Sequence, residues 1–296
     1  MKILLTGGNG FLGSYIYNHL SNQNKIYKLS RTRSNYNCNL KYEIPILDKS
    51  FDLIIHAASK VHSTPKSKNE SDEFYKINVQ GTLNLLAGLS KIEYPKQFVF
   101  ISSVSVYGLT SGENINEEAP LLANDPYGKS KIEAEQIVKK WCFENNVICT
   151  ILRLPLVVGN NPPGNLGAMI LGIKKGYYFN IAGGNAKKSM VLATDISKFI
   201  LKAADLGGTY NLTDGIHPTF KELSKCISTK LGKPFVHNMP FIFAKIIAIF
   251  GDVIGNILPI NSNKLSKITS TLTFDDSKAR LNFGWDPVPV LNGFNC

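Results

Sequence analysis

The sequence is short of paired cysteines, of clustered charge and of uninterrupted apolar runs, and each shortage closes off a class of protein. Its five cysteines, Cys38, Cys142, Cys149, Cys226 and Cys296, form an odd set with no CxxC pair and no histidine close in sequence. That pattern argues against a metal site or a disulfide framework and for a reducing compartment. The net charge is +11, yet no run of lysines exceeds two and no aromatic stripe interleaves with them, so nucleic acid is not the expected partner. An anionic small molecule suits that charge equally well. No internal repeat or low-complexity linker breaks the chain. Residues 241–260, FIFAKIIAIFGDVIGNILPI, come nearest to a membrane span but hold Lys245, Asp252, two glycines and a proline, so a core or interface helix is expected there. Glycines interrupt the opening MKILLTGGNGFLG before a signal peptide's apolar stretch is complete. The residues are expected to stay on the protein, and the protein in the cytoplasm.

What is present is a regular alternation. KILLTGG reads as a buried strand, FLGSYIYNHLSNQ as a helix and KIYKLSR as a strand. DLIIHAAS, KQFVFISSVSVYG and VICTILRLPLVVG read as further strands, with helices over SDEFYKINVQGTLNLLAGLSK and residues 126–145 between them. Short apolar runs separated by helices predict an α/β fold with a doubly wound parallel sheet. The second half is less regular, with a break at NPPGN, a strand at GTYNLTD and a helix at FKELSKCISTKLG. A chain of 296 residues is long for one compact unit. A second, smaller mixed α/β lobe, inserted and appended on the C-terminal side, is therefore expected.

Between the first strand and first helix stand Gly7, Gly8, Gly10 and Gly13. A tight turn, close backbone approach and a helix N-terminus with free N–H groups are what a dinucleotide pyrophosphate needs. An NAD site usually presents a carboxylate at the end of the second strand; here Ser30, Arg31 and Arg33 occupy that place. Guanidinium groups suit a 2′-phosphate, so NADP is the expected cofactor, with NAD as the alternative.

YGKSK at 127–131 follows Asp125 and Pro126, a helix start. Tyr127 and Lys131 then share one helical face. An ammonium beside a phenol favours the phenolate and prepares it for proton transfer. Taken together, TGGxGFxG at 6–13, HAAS at 56–59, Asn78 in INVQGT, the serine pair before VYG and the Tyr-x-x-x-Lys unit closely resemble the extended short-chain dehydrogenase/reductase superfamily. The resemblance covers nearly the whole chain and lies in the sugar-nucleotide epimerase/dehydratase/reductase branch. It implies a Rossmann-like fold, with residues 1–160 and about 189–216 binding the dinucleotide and about 161–188 and 217–296 the nucleotide sugar. It gives Tyr127 the role of general acid/base, Lys131 that of lowering the tyrosine pKa and bonding the nicotinamide ribose, and Ser103 that of holding the reacting oxygen. The implied cofactor contacts are Gly7, Gly10, Phe11, Leu12 and Gly13 in the loop, and Arg31 and Arg33 after the second strand. Ala57, Ala58, Asn78, Ser102 and Pro155 join them, beside Tyr127 and Lys131 themselves.

The chain also departs from the family pattern. Asn39 and Leu40 stand where an acidic residue commonly meets the adenine. Pro155 and Leu156 replace an asparagine step, and Lys188 takes the place of an arginine on the substrate pyrophosphate, with Lys267 as a second charge. Asn165, in PPGNL, is a candidate sugar-nucleotide contact. The leading expectation is an NADPH-dependent reductase acting at C4 of a 4-keto hexose linked to a nucleoside diphosphate, UDP by preference. A UDP-sugar 4-epimerase with tightly bound NAD is the alternative, and a non-catalytic NADP-binding regulator a third. A homodimer is expected to pack the helices holding Asn78 and Tyr127 against their mates.

Overall fold

The computed structural model describes residues 1–61, 65, 67–254 and 261–294. From the amino end run β1 (Lys2–Thr6), α1 (Phe11–Leu20), β2 (Lys25–Ser30), β3 (Tyr36–Asn37), β4 (Leu53–His56), α2 (Lys68–Phe74) and α3 (Gly81–Leu89). Then come β5 (Gln97–Ser103), β6 (Gly112–Ile115), α4 (Pro126–Glu144), β7 (Ile148–Leu154), β8 (Leu156–Val158), α5 (Gly164–Lys175) and β9 (Phe179–Ile181). The rest are β10 (Met190–Leu192), α6 (Ala193–Leu206), β11 (Gly208–Asn211), α7 (Phe220–Lys230), β12 (His237–Met239), α8 (Phe241–Ile254), α9 (Ser262–Thr269), β13 (Leu272–Phe274), α10 (Ser277–Phe283) and α11 (Val290–Gly293).

Seven strands form one parallel sheet in the order β11-β7-β5-β4-β1-β2-β3. β1 pairs with both β2 and β4, so the winding reverses beside it, where open α/β sheets bind ligands. The central strands β1, β4 and β5 are mostly apolar because helices cover both faces. Leu5 and Ile55 pack with Ile16, Ile196 and Ile200 on one side. Leu4 and Ile54 pack with Leu85, Leu89 and Val138 on the other.

The structure differs from the sequence reading in three places. The strand expected over 147–159 breaks at Pro155, which has no N–H to give a ladder. Its first part, β7, stays in the main sheet, and its second part, β8, pairs with β10 apart from it. The long helix expected over 71–91 spans Lys68–Leu89, with a π turn at Tyr75–Gln80 joining α2 to α3. Finally, of the core or interface helix expected over 241–260, α8 departs from the core reading: Ala244 and Ala248 are buried, but Phe241, Ile242, Phe243, Ile246, Ile249 and Phe250 are exposed. The remainder of that apolar segment, 255–260, lies outside the described residues. Among the described residues no helix is long and apolar enough to cross a membrane. A further cluster joins Leu166, Met169, Ile173, Leu223, Ile227 and Phe294 with Val158, Met190 and Leu192.

Candidate active site

β1 delivers Thr6 into a turn whose tightness is dictated by contact. Gly7 has φ +70°, and a Cβ added there would lie 2.6 Å from the Ala58 nitrogen. A Cβ at Gly13 would lie 2.1 Å from the Gly7 oxygen, so no side chain fits either position. The N-terminus of α1 has no side-chain cap at Gly10, which leaves the first-turn amides at Phe11, Leu12 and Gly13 available to an anion. The loop borders a cavity of about 570 Å³ lined by Gly7, Gly10, Arg31, Asn39, Leu40, Ala57 and Ala58 among the expected contacts. Ser30, named at the end of the second strand, lines it too, as do Asn9, Lys41, Tyr42, Lys60 and Glu73, which the sequence reading missed. Lys41 meets Glu73 at 2.7 Å, and Arg31 and Lys60 add positive charge, so the lining suits an elongated polyanion. A glycine cradle, a helix N-terminus and a cationic wall fit a nicotinamide dinucleotide. Arg33 is exposed, at φ +54°, and does not line the cavity.

α4 begins as the sequence predicts. Asp125 accepts from the Gly128 N–H at 3.1 Å, with Pro126 in the first turn. Tyr127 and Lys131 both lie buried on the face toward β5. Ser103, at the end of β5, donates to the Ser105 hydroxyl at 3.2 Å and lies near enough to Tyr127 to act on its pKa, so two of the three expected catalytic groups come together. Lys131 does not acidify the phenol as expected. Its Nζ donates to the Ile101 carbonyl at 2.6 Å and lies 4.1 Å from the centre of the Phe100 ring. Burial pushes the Tyr127 pKa up, Ser103 acts the other way, and Asp125 raises it further. Burial pulls Lys131 down to about 7, against the opposing charge of Glu135.

Three networks hold these groups, and only Asn78 was foreseen. Asn78, inside the π turn, accepts from the Lys60 N–H at 2.7 Å and donates to Ser130 at 2.9 Å. It thus ties the end of β4 to the catalytic helix. His56 bonds Thr6 at 2.6 Å and Thr82 at 3.0 Å, and Thr82 donates to the Asn78 carbonyl. Burial first and Lys131 second lower His56 to about 3, which keeps it neutral. Glu135 takes Arg153 through two bonds, of 2.8 and 3.1 Å, and Ser102 at 2.5 Å. Arg153 in turn reaches the Tyr107 hydroxyl at 3.1 Å, which donates to Asn211. Ser102 therefore spends its hydroxyl on α4 rather than lining the cavity, and Pro155, at the strand break, does not line it either.

The other substrate candidates, Lys188, Lys267 and Asn165, lie outside the seven-stranded sheet. Lys188 is lowered to about 8 by burial and by the charge of Lys267, so these two lysines share a neighbourhood. Asn165 is exposed in the first turn of α5.

The family model for the NAD dependent epimerase/dehydratase family matches residues 3–213. The chain belongs to that family. It is an enzyme of the extended short-chain dehydrogenase/reductase type and depends on NAD or NADP. Among curated relatives, the N-acetyl-α-D-glucosaminyl-diphospho-ditrans,octacis-undecaprenol 4-epimerase of Escherichia coli O157:H7 is 27% identical, over 99% of this chain and 93% of its own. A decarboxylating sterol-4-α-carboxylate 3-dehydrogenase of Dictyostelium discoideum is 30% identical, over 96% and 95%. The UDP-glucose 4-epimerase of Vibrio cholerae is 25% identical, over 98% and 92%. The fold matches that of the UDP-glucose 4-epimerase of Thermotoga maritima, solved with UDP-glucose, with a TM-score of 0.76 over 99% of this chain and 96% of that one, at 22% identity.

Proposed function

We propose that the enzyme is a 4-epimerase of a hexose carried on a diphosphate, with a UDP-sugar as the first substrate to test. The observation that carries this reading is the buried Tyr127 with Ser103 acting on its hydroxyl, in a chain that also holds the glycine-loop cavity and is related over nearly its whole length to two 4-epimerases. That relationship moves the epimerase ahead of the keto-sugar reductase expected from sequence. When bound, the dinucleotide supplies hydride acceptance and return at the sugar carbon. The protein's own part is proton handling. Tyr127 Oη takes the proton of the C4 hydroxyl as that carbon is oxidised and gives it back when the carbon is reduced. Ser103 Oγ bonds the same oxygen in both directions. Lys131, buried against Phe100 and the Ile101 carbonyl, is assigned to the nicotinamide ribose, the other role the family resemblance gives it. Lys188 and Lys267 attract the diphosphate.

One observation favours a second reading, a 4-keto-sugar reductase using NADPH: Arg31 lines the cavity and no carboxylate stands at the end of β2. Incubating the purified enzyme with UDP-glucose or UDP-N-acetylglucosamine, without added reductant, separates the two. Formation of the C4 epimer supports the proposal. Turnover only of a 4-keto sugar, with one NADPH consumed per product, replaces it with the reductase.

A further inference from the structure

We propose that the outer face of α8 is a docking surface for an anionic phospholipid membrane. The helix is built with its sizes reversed. Its small residues, Ala244 and Ala248, face inward against Leu265 with Met239 and Ile181. Its large ones, Phe241, Ile242, Phe243, Ile246, Ile249 and Phe250, face outward at 45–71% exposure. Ile242, Phe243, Ile246, Ile249 and Phe250 form one apolar face at helical spacing, with Phe241 beyond exposed Lys245, and soluble monomers seldom leave such a face open without a use for it.

Charge points to the occupant. Residues 161–188 and 217–274 hold eleven lysines and two carboxylates, Glu222 and Asp252, and so carry +9 of the chain's net +11. Lys233, Lys245, Lys264 and Lys267 are exposed on the segments before, within and after α8. An apolar face amid lysines matches a bilayer surface with anionic headgroups, where the rings and branched chains enter the acyl boundary and the ammonium groups stay at headgroup level. Lys245 and Asp252, near the two ends of the described helix, disfavour burial in the hydrocarbon, so the helix is assigned to the interface. A second copy of the chain fits less well, because a two-fold contact through this face would set its surplus of positive charge against itself. α9, packed against α8, carries Lys267, whose charge reaches Lys188. Docking would therefore bring the diphosphate-binding end of the enzyme to the membrane, whichever sugar it acts on.

The test is co-sedimentation of the full chain with vesicles of phosphatidylcholine alone or with about one quarter phosphatidylglycerol. It is run at about 0.05 M and about 0.5 M salt, beside light scattering for oligomeric state. The wild-type chain is expected to partition onto the anionic vesicles about tenfold better than onto the neutral ones, and to lose that advantage at high salt. The double substitution Ile242→Glu with Phe243→Glu, at exposed positions, is expected to cut binding about tenfold with dinucleotide affinity unchanged. Should that variant fail to fold, Lys233→Glu with Lys245→Glu tests the same surface through its charge and is expected to show the same loss. The proposal is overturned if the wild type ignores anionic vesicles, or if folded variants bind them equally. It is also overturned if the wild type is a lipid-indifferent dimer that the apolar substitutions make monomeric.

Discussion

Tyr127 and Lys131 stand one helical turn apart but answer to different surroundings. The phenol is governed by burial and by Ser103; the ammonium is governed by burial, the Ile101 carbonyl and the charge of Glu135. The identities and spacing of these residues were legible in the sequence. Their electrostatics were not, because burial is a property of the folded neighbourhood. Lys188 yields a pH prediction. With its pKa pushed down to about 8, it is cationic below that pH and neutral above it. The KM for the diphosphate sugar should therefore rise as pH passes from about 7 to about 9, and the rise should vanish in Lys188→Met; steady-state kinetics across that range checks both. Arg31→Ala should weaken NADPH binding about tenfold and leave NADH nearly unchanged. Titration of the two dinucleotides tests this, and equal losses would make Arg31 an ordinary surface charge.

Among the elements, α4 is the pivot: its first turn carries the reacting hydroxyl, and its third carries Glu135, which locks the helix to β5 through Ser102 and to β7 through Arg153. Arg153→Leu would strand a buried carboxylate, so stability should fall by about 3–5 kcal/mol. Chemical denaturation measures the loss, and a change below about 1 kcal/mol would show the pair to be dispensable. The alternation of strands and helices, the glycine turn and the start of α4 were all readable, since each depends on local pattern. The strand break at Pro155, the π turn around Asn78 and the Glu135–Arg153 pair were not. The first two depend on which partner strand or helix is near, and the third joins groups 18 residues apart in sequence.

At the scale of the molecule, the sheet sets the glycine cradle at the end of β1 and Ser103, at the end of β5, near Tyr127, and residues 161–188 and 217–274 carry +9 of the net +11. The two halves meet a substrate with complementary demands, a sugar carbon to be oxidised and reduced and a diphosphate to be held. The account rests on proton transfer by Tyr127. Its most direct test is the turnover of Tyr127→Phe, measured with the dinucleotide affinity of the same preparation. Turnover should fall by about 10²- to 10⁴-fold while dinucleotide affinity stays within about twofold of wild type; turnover close to that of the wild type would contradict it.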